Sequence, residues 1–259
     1  MVTVPIGNIG IALSGGGARG AAHIGVLQAL NELGVFPDHI SGSSAGALVG
    51  ALYAVGYTPK EIQKISESQS FMKIFHLAFS TKGLTNPRFL DKFLRQHLPE
   101  GTFKSLEIPL YVCATNIDKG EFRVLSDGDL IKAVMASCAI PLLFKPVEIE
   151  GELYVDGGLM NNLPIEPLKK SCAKFIGVGV CPHVYHAGVK GITDIGLRSF
   201  QLAIWNTMEY RMKKCGLAID VHAVSKYGMF DFKNSKDLHK LGYDAVMEQQ
   251  KEVEEFLGS

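Results

Sequence analysis

Short apolar runs alternate with stretches of helical period along most of the chain. The run IGIALS at 9–14 is uninterrupted and ends in glycines, which predicts a buried strand. In AAHIGVLQALNELG, 21–34, the apolar residues 24, 26, 27, 30 and 33 recur near the helical period, and Gly34 stands where a cap belongs. A second, very short strand is predicted over 40–44, followed by a small-residue helix over 45–56. Thr58 and Pro59 occupy the N-cap and first positions of a helix over 58–68. Further helices are predicted over 86–98, 128–139, 194–215 and 235–257. Further strands are predicted over 108–117, 151–158, 174–180 and 218–224, with 120–126 as the hairpin partner of 108–117. Only 67–85 receives no assignment. Strand and helix in alternation predict an α/β fold, a mainly parallel sheet with helices on both faces. No repeat, low-complexity stretch or linker interrupts the pattern, so one domain over 1–259 is expected.

Composition narrows the function classes. The apolar fraction is 47% and the charged fraction 20%, enough to build a core from 259 residues. Lys plus Arg equals Asp plus Glu, 26 each, so no basic field is available to recruit nucleic acid or anionic lipid over the whole surface. Any membrane contact would be local, apolar and transient. The five cysteines are scattered without a C-x-x-C, which fits a reducing compartment. The first residues lack the basic flank of a signal peptide, and no uncharged apolar run reaches ~18 residues. A soluble, cytoplasmic protein is expected.

Candidate chemistry sits at three turns. Gly15-Gly16-Gly17-Ala18-Arg19-Gly20 follows a strand and opens a helix, a place where backbone N–H groups converge as an anion site. Its Gly15-x-Gly17-x-x-Gly20 spacing also fits a dinucleotide fingerprint. That reading needs an acidic residue ending the second strand, and Asp38 precedes that strand instead. Gly42-x-Ser44-x-Gly46 matches the nucleophile elbow, in which a sharp strand-to-helix turn exposes the serine hydroxyl. Ser41 and Ser43 read as turn or packing residues. A serine needs a base. His183 and His186 lie late enough in the chain to be considered, whereas His23 reads as a packing or capping residue. Asp156, in YVDGGLMNNLPIEPL, ends a strand on a tight turn before Gly157 and Gly158. By itself an acidic residue there is an ordinary turn former.

SGGGARG, GSSAG and DGG, in that order, resemble the patatin-like phospholipase family. The segments 108–121, 132–147 and 231–245 are similar to that family as well, so the resemblance covers most of the chain from Ile11 onward. It implies a three-layer α/β/α fold and a Ser44–Asp156 dyad with neither metal nor cofactor. It also implies an oxyanion hole from the backbone of Gly15, Gly16, Gly17 and Ala18, and the substrate becomes an acyl ester of a (lyso)phospholipid or related lipid. Arg19, Gly42, Gly46, Gly157 and Gly158 take supporting parts, Arg19 by steadying the loop or by meeting a substrate phosphate. Ser14 stands where plant members often carry Asp. A carboxylesterase or acyltransferase using the same serine, and a non-catalytic lipid-binding protein, remain alternatives, and oligomeric state is open. Asp156 needs a raised pKa to act as a base, for which burial against Leu153 and Val155 is the expected cause. The apolar stretch 71–79 reads as a core helix or as a lid over the site.

Overall fold

The structure, a computed structural model, describes residues 8–68, 71, 88–184 and 191–258. These build an eight-stranded sheet from β1 (Ile9–Leu13), β2 (His39–Ser43), β3 (Leu110–Asn116), β4 (Glu121–Leu125), β5 (Val147–Ile149), β6 (Glu152–Asp156), β7 (Lys174–Gly179) and β8 (Leu217–Asp220). Strands β3, β2, β1, β7 and β8 run parallel in that order, and β4, β5 and β6 are antiparallel additions at the β3 end.

Helices cover both faces. Side chains of a strand alternate between faces. Leu13 and Ile40 meet Gly50 of the helix Ala45–Ala54 (α2) on one face, while Gly10 meets Leu168 on the other. That second face is also covered by the helix Ile192–Met212, whose Met208 and Met212 lie over Gly179. On the first face the helix Ala21–Glu32 (α1) packs closely on the helix Ser235–Met247. A Cβ at Gly25 would lie 1.9 Å from the His239 carbonyl oxygen, and one at Gly242 1.9 Å from that of Ala22. Glycine is what lets these two backbones approach. The helix Pro59–Ser66 starts as predicted, with Thr58 and Glu61 forming a reciprocal capping box.

The register of β3 decides where the site forms. β4 pairs with Val112 to Asn116 along one edge of β3. A strand has only two edges, so β2, paired at Leu110 to Cys113, and β6, paired at Ala114 to Asn116, share the other. β2 runs up that edge and β6 runs down it, and their C-terminal ends meet where Ser43 faces Cys113 and Asp156 faces Ala114.

Several boundaries differ from expectation. The predicted closing helix 235–257 breaks into Ser235–Met247 and Gln250–Gly258, and the late strand stops at Asp220 before a 3-10 turn over His222–Lys226. β5 and the one-turn helix Leu168–Ser171 went unpredicted because three or four residues carry no readable period. Of the stretch 67–85, positions 69, 70 and 72–85 lie outside the described residues.

Candidate active site

Ser44 joins β2 directly to α2, with no residue to spare for a gentle turn. Its backbone sits at φ 50°, ψ −120°, a conformation that non-glycine residues avoid. The small frame explains how the turn closes. A Cβ at Gly42 would lie 2.6 Å from the Ala47 nitrogen, and one at Gly46 2.2 Å from the Leu13 carbonyl oxygen. The Ser44 N–H donates to Ser137 Oγ at 2.8 Å, and that hydroxyl donates to the Cys113 carbonyl at 2.6 Å. Ser44 is therefore tied to the middle of the sheet. Its own hydroxyl donates to Asp156 Oδ2 at 2.7 Å. Ser41 and Ser43 are fully buried packing residues.

Asp156 ends β6 and is 1% exposed. Its N–H donates to the Ala139 carbonyl, and Thr115 Oγ1 donates to its carbonyl. Its Oδ1 accepts the Gly158 N–H at 2.8 Å. Gly157 permits the turn, since a Cβ there would meet the Cys113 carbonyl oxygen at 2.2 Å. Burial pushes the Asp156 carboxyl up from 3.8 to about 7, against the hydrogen bonds from Ser44 and Gly158 that favour its charged form. The expected cause, flanking by Leu153 and Val155, is corrected by the pleat. Both residues point to the face opposite Asp156, and Leu153 is itself exposed. Enclosure at the junction of β2, β3 and β6 removes water instead.

The four expected donors of the glycine run separate into two pairs. The Gly15 N–H donates to Asn162, through Oδ1 at 3.1 Å and the carbonyl at 3.3 Å, and the Ala18 N–H donates to the Met229 carbonyl at 2.8 Å. Gly16 and Gly17 have no partner for their N–H groups among the described residues. Gly17 takes φ +60°, and a Cβ there would lie 2.3 Å from the Met229 carbonyl oxygen. Arg19 is buried and its Nε donates to the Tyr227 carbonyl at 2.8 Å, so it braces the loop. Asp38 accepts the Ile9 N–H at the opposite end of β1 from the glycines, so its carboxylate does not stand beside the glycine turn where a ribose would need it.

The histidines separate from the site or serve it indirectly. His183 packs at a tilt against Trp205, ring centroids 4.1 Å apart, and His186 lies outside the described residues. His23 is wholly buried with its pKa lowered to about 4 by desolvation, and its neutral ring donates from Nε2 to the Ser14 carbonyl at 2.7 Å. Asn162 and Ser137 carry hydrogen bonds at the site that sequence reasoning missed. The second asparagine of MNN was the available signal, with nothing local to say what it meets.

An apolar cavity opens onto Ser44 and Gly17. It runs along one stripe of α2, Ala45, Leu48, Val49 and Leu52, and on to Ile62 and Ser66. At 1.5 Å per residue, that stripe is ~10 Å long. Of the apolar stretch 71–79 only Phe71 is described. It lines this cavity and packs edge-on against Phe93 and Phe232, and the choice between core helix and lid lies outside the described residues. Among the described residues no group of His, Cys, Asp and Glu could hold a metal, and no helix is long and apolar enough to cross a membrane.

Comparison with known proteins bears on this geometry. A family model described as Patatin-like phospholipase matches residues 11–169. An uncharacterized NTE family protein of Mycobacterium tuberculosis is 34% identical over 162 residues, 62% of this chain and 45% of that protein. The lysophospholipase NTE1 of Meyerozyma guilliermondii is 28% identical over 269 residues, 91% of this chain and 19% of that protein. The chain thus spans less than half the length of either curated relative. Among solved structures, VipD from Legionella pneumophila shares the fold, with a TM-score of 0.53 and 18% identity over 98% of this chain and 68% of that one.

Proposed function

The chain belongs to the patatin-like phospholipase family, and from that premise we propose that it is a serine acyl hydrolase acting on (lyso)phospholipids or related lipid esters. The observation that carries this reading is the 2.7 Å bond from Ser44 Oγ to a buried carboxyl poised near neutrality, at the mouth of an apolar cavity. Ser44 attacks the ester carbonyl carbon while Asp156 Oδ2 takes its proton. The carbonyl oxygen gains the negative charge and is met by the Gly16 and Gly17 N–H groups, which are preorganised and cost nothing to reorient. Collapse of this adduct breaks the bond to the alcohol, which leaves with the proton held by Asp156. Water then adds to the acyl-serine, passes a proton to Asp156, and the fatty acid departs as Ser44 recovers its hydrogen. The acyl chain lies along the α2 stripe. Ionised Asp156 accepts protons without a histidine because burial supplies the basicity that a solvated carboxylate lacks.

All residues belong to one domain in this reading, and the five unpaired cysteines support a reducing, cytoplasmic setting. The test is labelling by a fluorophosphonate probe together with turnover of a lysophospholipid and a short soluble ester. Wild type labels and hydrolyses both, Ser44→Ala does neither, and the longer acyl ester is preferred. Failure of the wild type to label would leave a lipid-binding protein, and preference for the short ester would leave a general carboxylesterase.

A further inference from the structure

Two successive peptides of the glycine turn are held by side chains from other parts of the fold. The carbonyl of the Ser14–Gly15 peptide accepts the His23 Nε2 proton at 2.7 Å, and its N–H donates to Asn162 Oδ1 at 3.1 Å. The carbonyl of the next peptide, Gly15–Gly16, accepts from Asn162 Nδ2 at 3.4 Å and from Ser14 Oγ at 3.1 Å. Its N–H is that of Gly16, one of the two without a partner among the described residues. A planar trans peptide directs its C=O and N–H to opposite sides. Holding the Gly15 carbonyl on the Asn162 side therefore turns the Gly16 N–H away from it. Glycine has no Cβ to restrict rotation here, so the aim has to be imposed from outside. Asn162 is itself fixed, fully buried, with its N–H on Thr207 Oγ1 at 3.3 Å.

We propose that Asn162, backed by His23, is a positioning residue that aims the Gly16 N–H at the developing oxyanion and touches neither substrate nor reacting atoms. The inference rests on the hydrolase reading above. An amide is required because one end must accept from Gly15 N–H while the other donates to Gly15 C=O. A carboxylate does the first and repels the second.

The test compares Asn162→Asp, Asn162→Ala, His23→Gln and His23→Leu in kcat and KM for one lipid ester. It adds melting temperature and the inhibition constant of an alkyl trifluoromethyl ketone, which adds to the serine hydroxyl to give a tetrahedral oxyanion. Asn162→Asp should hold KM within about twofold while kcat and ketone affinity both fall about 10- to 100-fold. His23→Gln, which keeps a donor, should retain most turnover, and His23→Leu should lose it. If Asn162→Ala does not fold, the near-isosteric Asn162→Asp decides, and if neither folds the His23 pair does. Wild-type kcat and ketone affinity in Asn162→Asp would overturn the inference. So would losses that follow melting temperature rather than the donor removed. A wild type that neither turns over ester nor binds the ketone would overturn the hydrolase reading instead.

Discussion

Asp156 should set activity and stability against each other as pH rises. The rise from 3.8 to about 7 on folding corresponds to about 4 kcal/mol. Between those values the folded chain holds this proton more tightly than the unfolded chain, so the stability that Asp156 contributes is fully present below pH 3.8 and is lost as pH climbs through 7. Asp156→Asn keeps the shape and removes the ionisation. Any fixed gain or loss from the amide itself cancels when the variant is compared with wild type at two pH values. Linkage through these two pKa values then makes the variant gain about 3 kcal/mol on the wild type between pH 5 and pH 8. Urea unfolding at both pH values measures this. Activity moves the other way. On a short soluble ester, wild-type kcat/KM should rise about tenfold per pH unit below 7 and level off above it, while Asp156→Asn stays inactive throughout. A flat profile between pH 5.5 and 8.5, or variant and wild-type stabilities that stay parallel from pH 5 to pH 8, would refute both the buried pKa and the base assigned to it.

Gly46→Ala places a Cβ 2.2 Å from the Leu13 carbonyl oxygen and 2.7 Å from that of Ser14, so the elbow has to shift. It should destabilise by about 1–3 kcal/mol and cut turnover, and an unchanged melting temperature would show that the frame has slack. Leu52→Trp fills the far end of the α2 stripe. The ratio of kcat/KM for a long-chain ester over a short-chain ester should fall at least about tenfold, because excluded methylenes lose their burial. Equal losses on both esters would place the acyl chain elsewhere.

Much of this molecule could be read from its chain order. The strand IGIALS, the capped helix at Thr58 and Pro59, and the small-residue helix after Ser44 are each set by neighbours within a few positions. Period, cap and turn chemistry therefore exposed them. The same holds for the two turns that carry Ser44 and Asp156, whose glycines mark where the backbone has to bend sharply or another backbone has to come close. Elements of three or four residues, such as β5 and Leu168–Ser171, were invisible because a period needs length.

Tertiary structure alone decided what the site is made of. β2 and β6 meet head to head because β4 takes the other edge of β3, and this brings Ser44 and Asp156, 112 residues apart, into one hydrogen bond. Enclosure at that junction, rather than adjacent Leu153 and Val155, raises the carboxyl. Contacts from Asn162 and Met229 choose which two of four glycine-run amides stay free. Local sequence specifies dihedral angles and which side chains share a face. Desolvation, strand register and the partner of each amide are properties of groups distant in the chain, and they exist only once the sheet has closed around them.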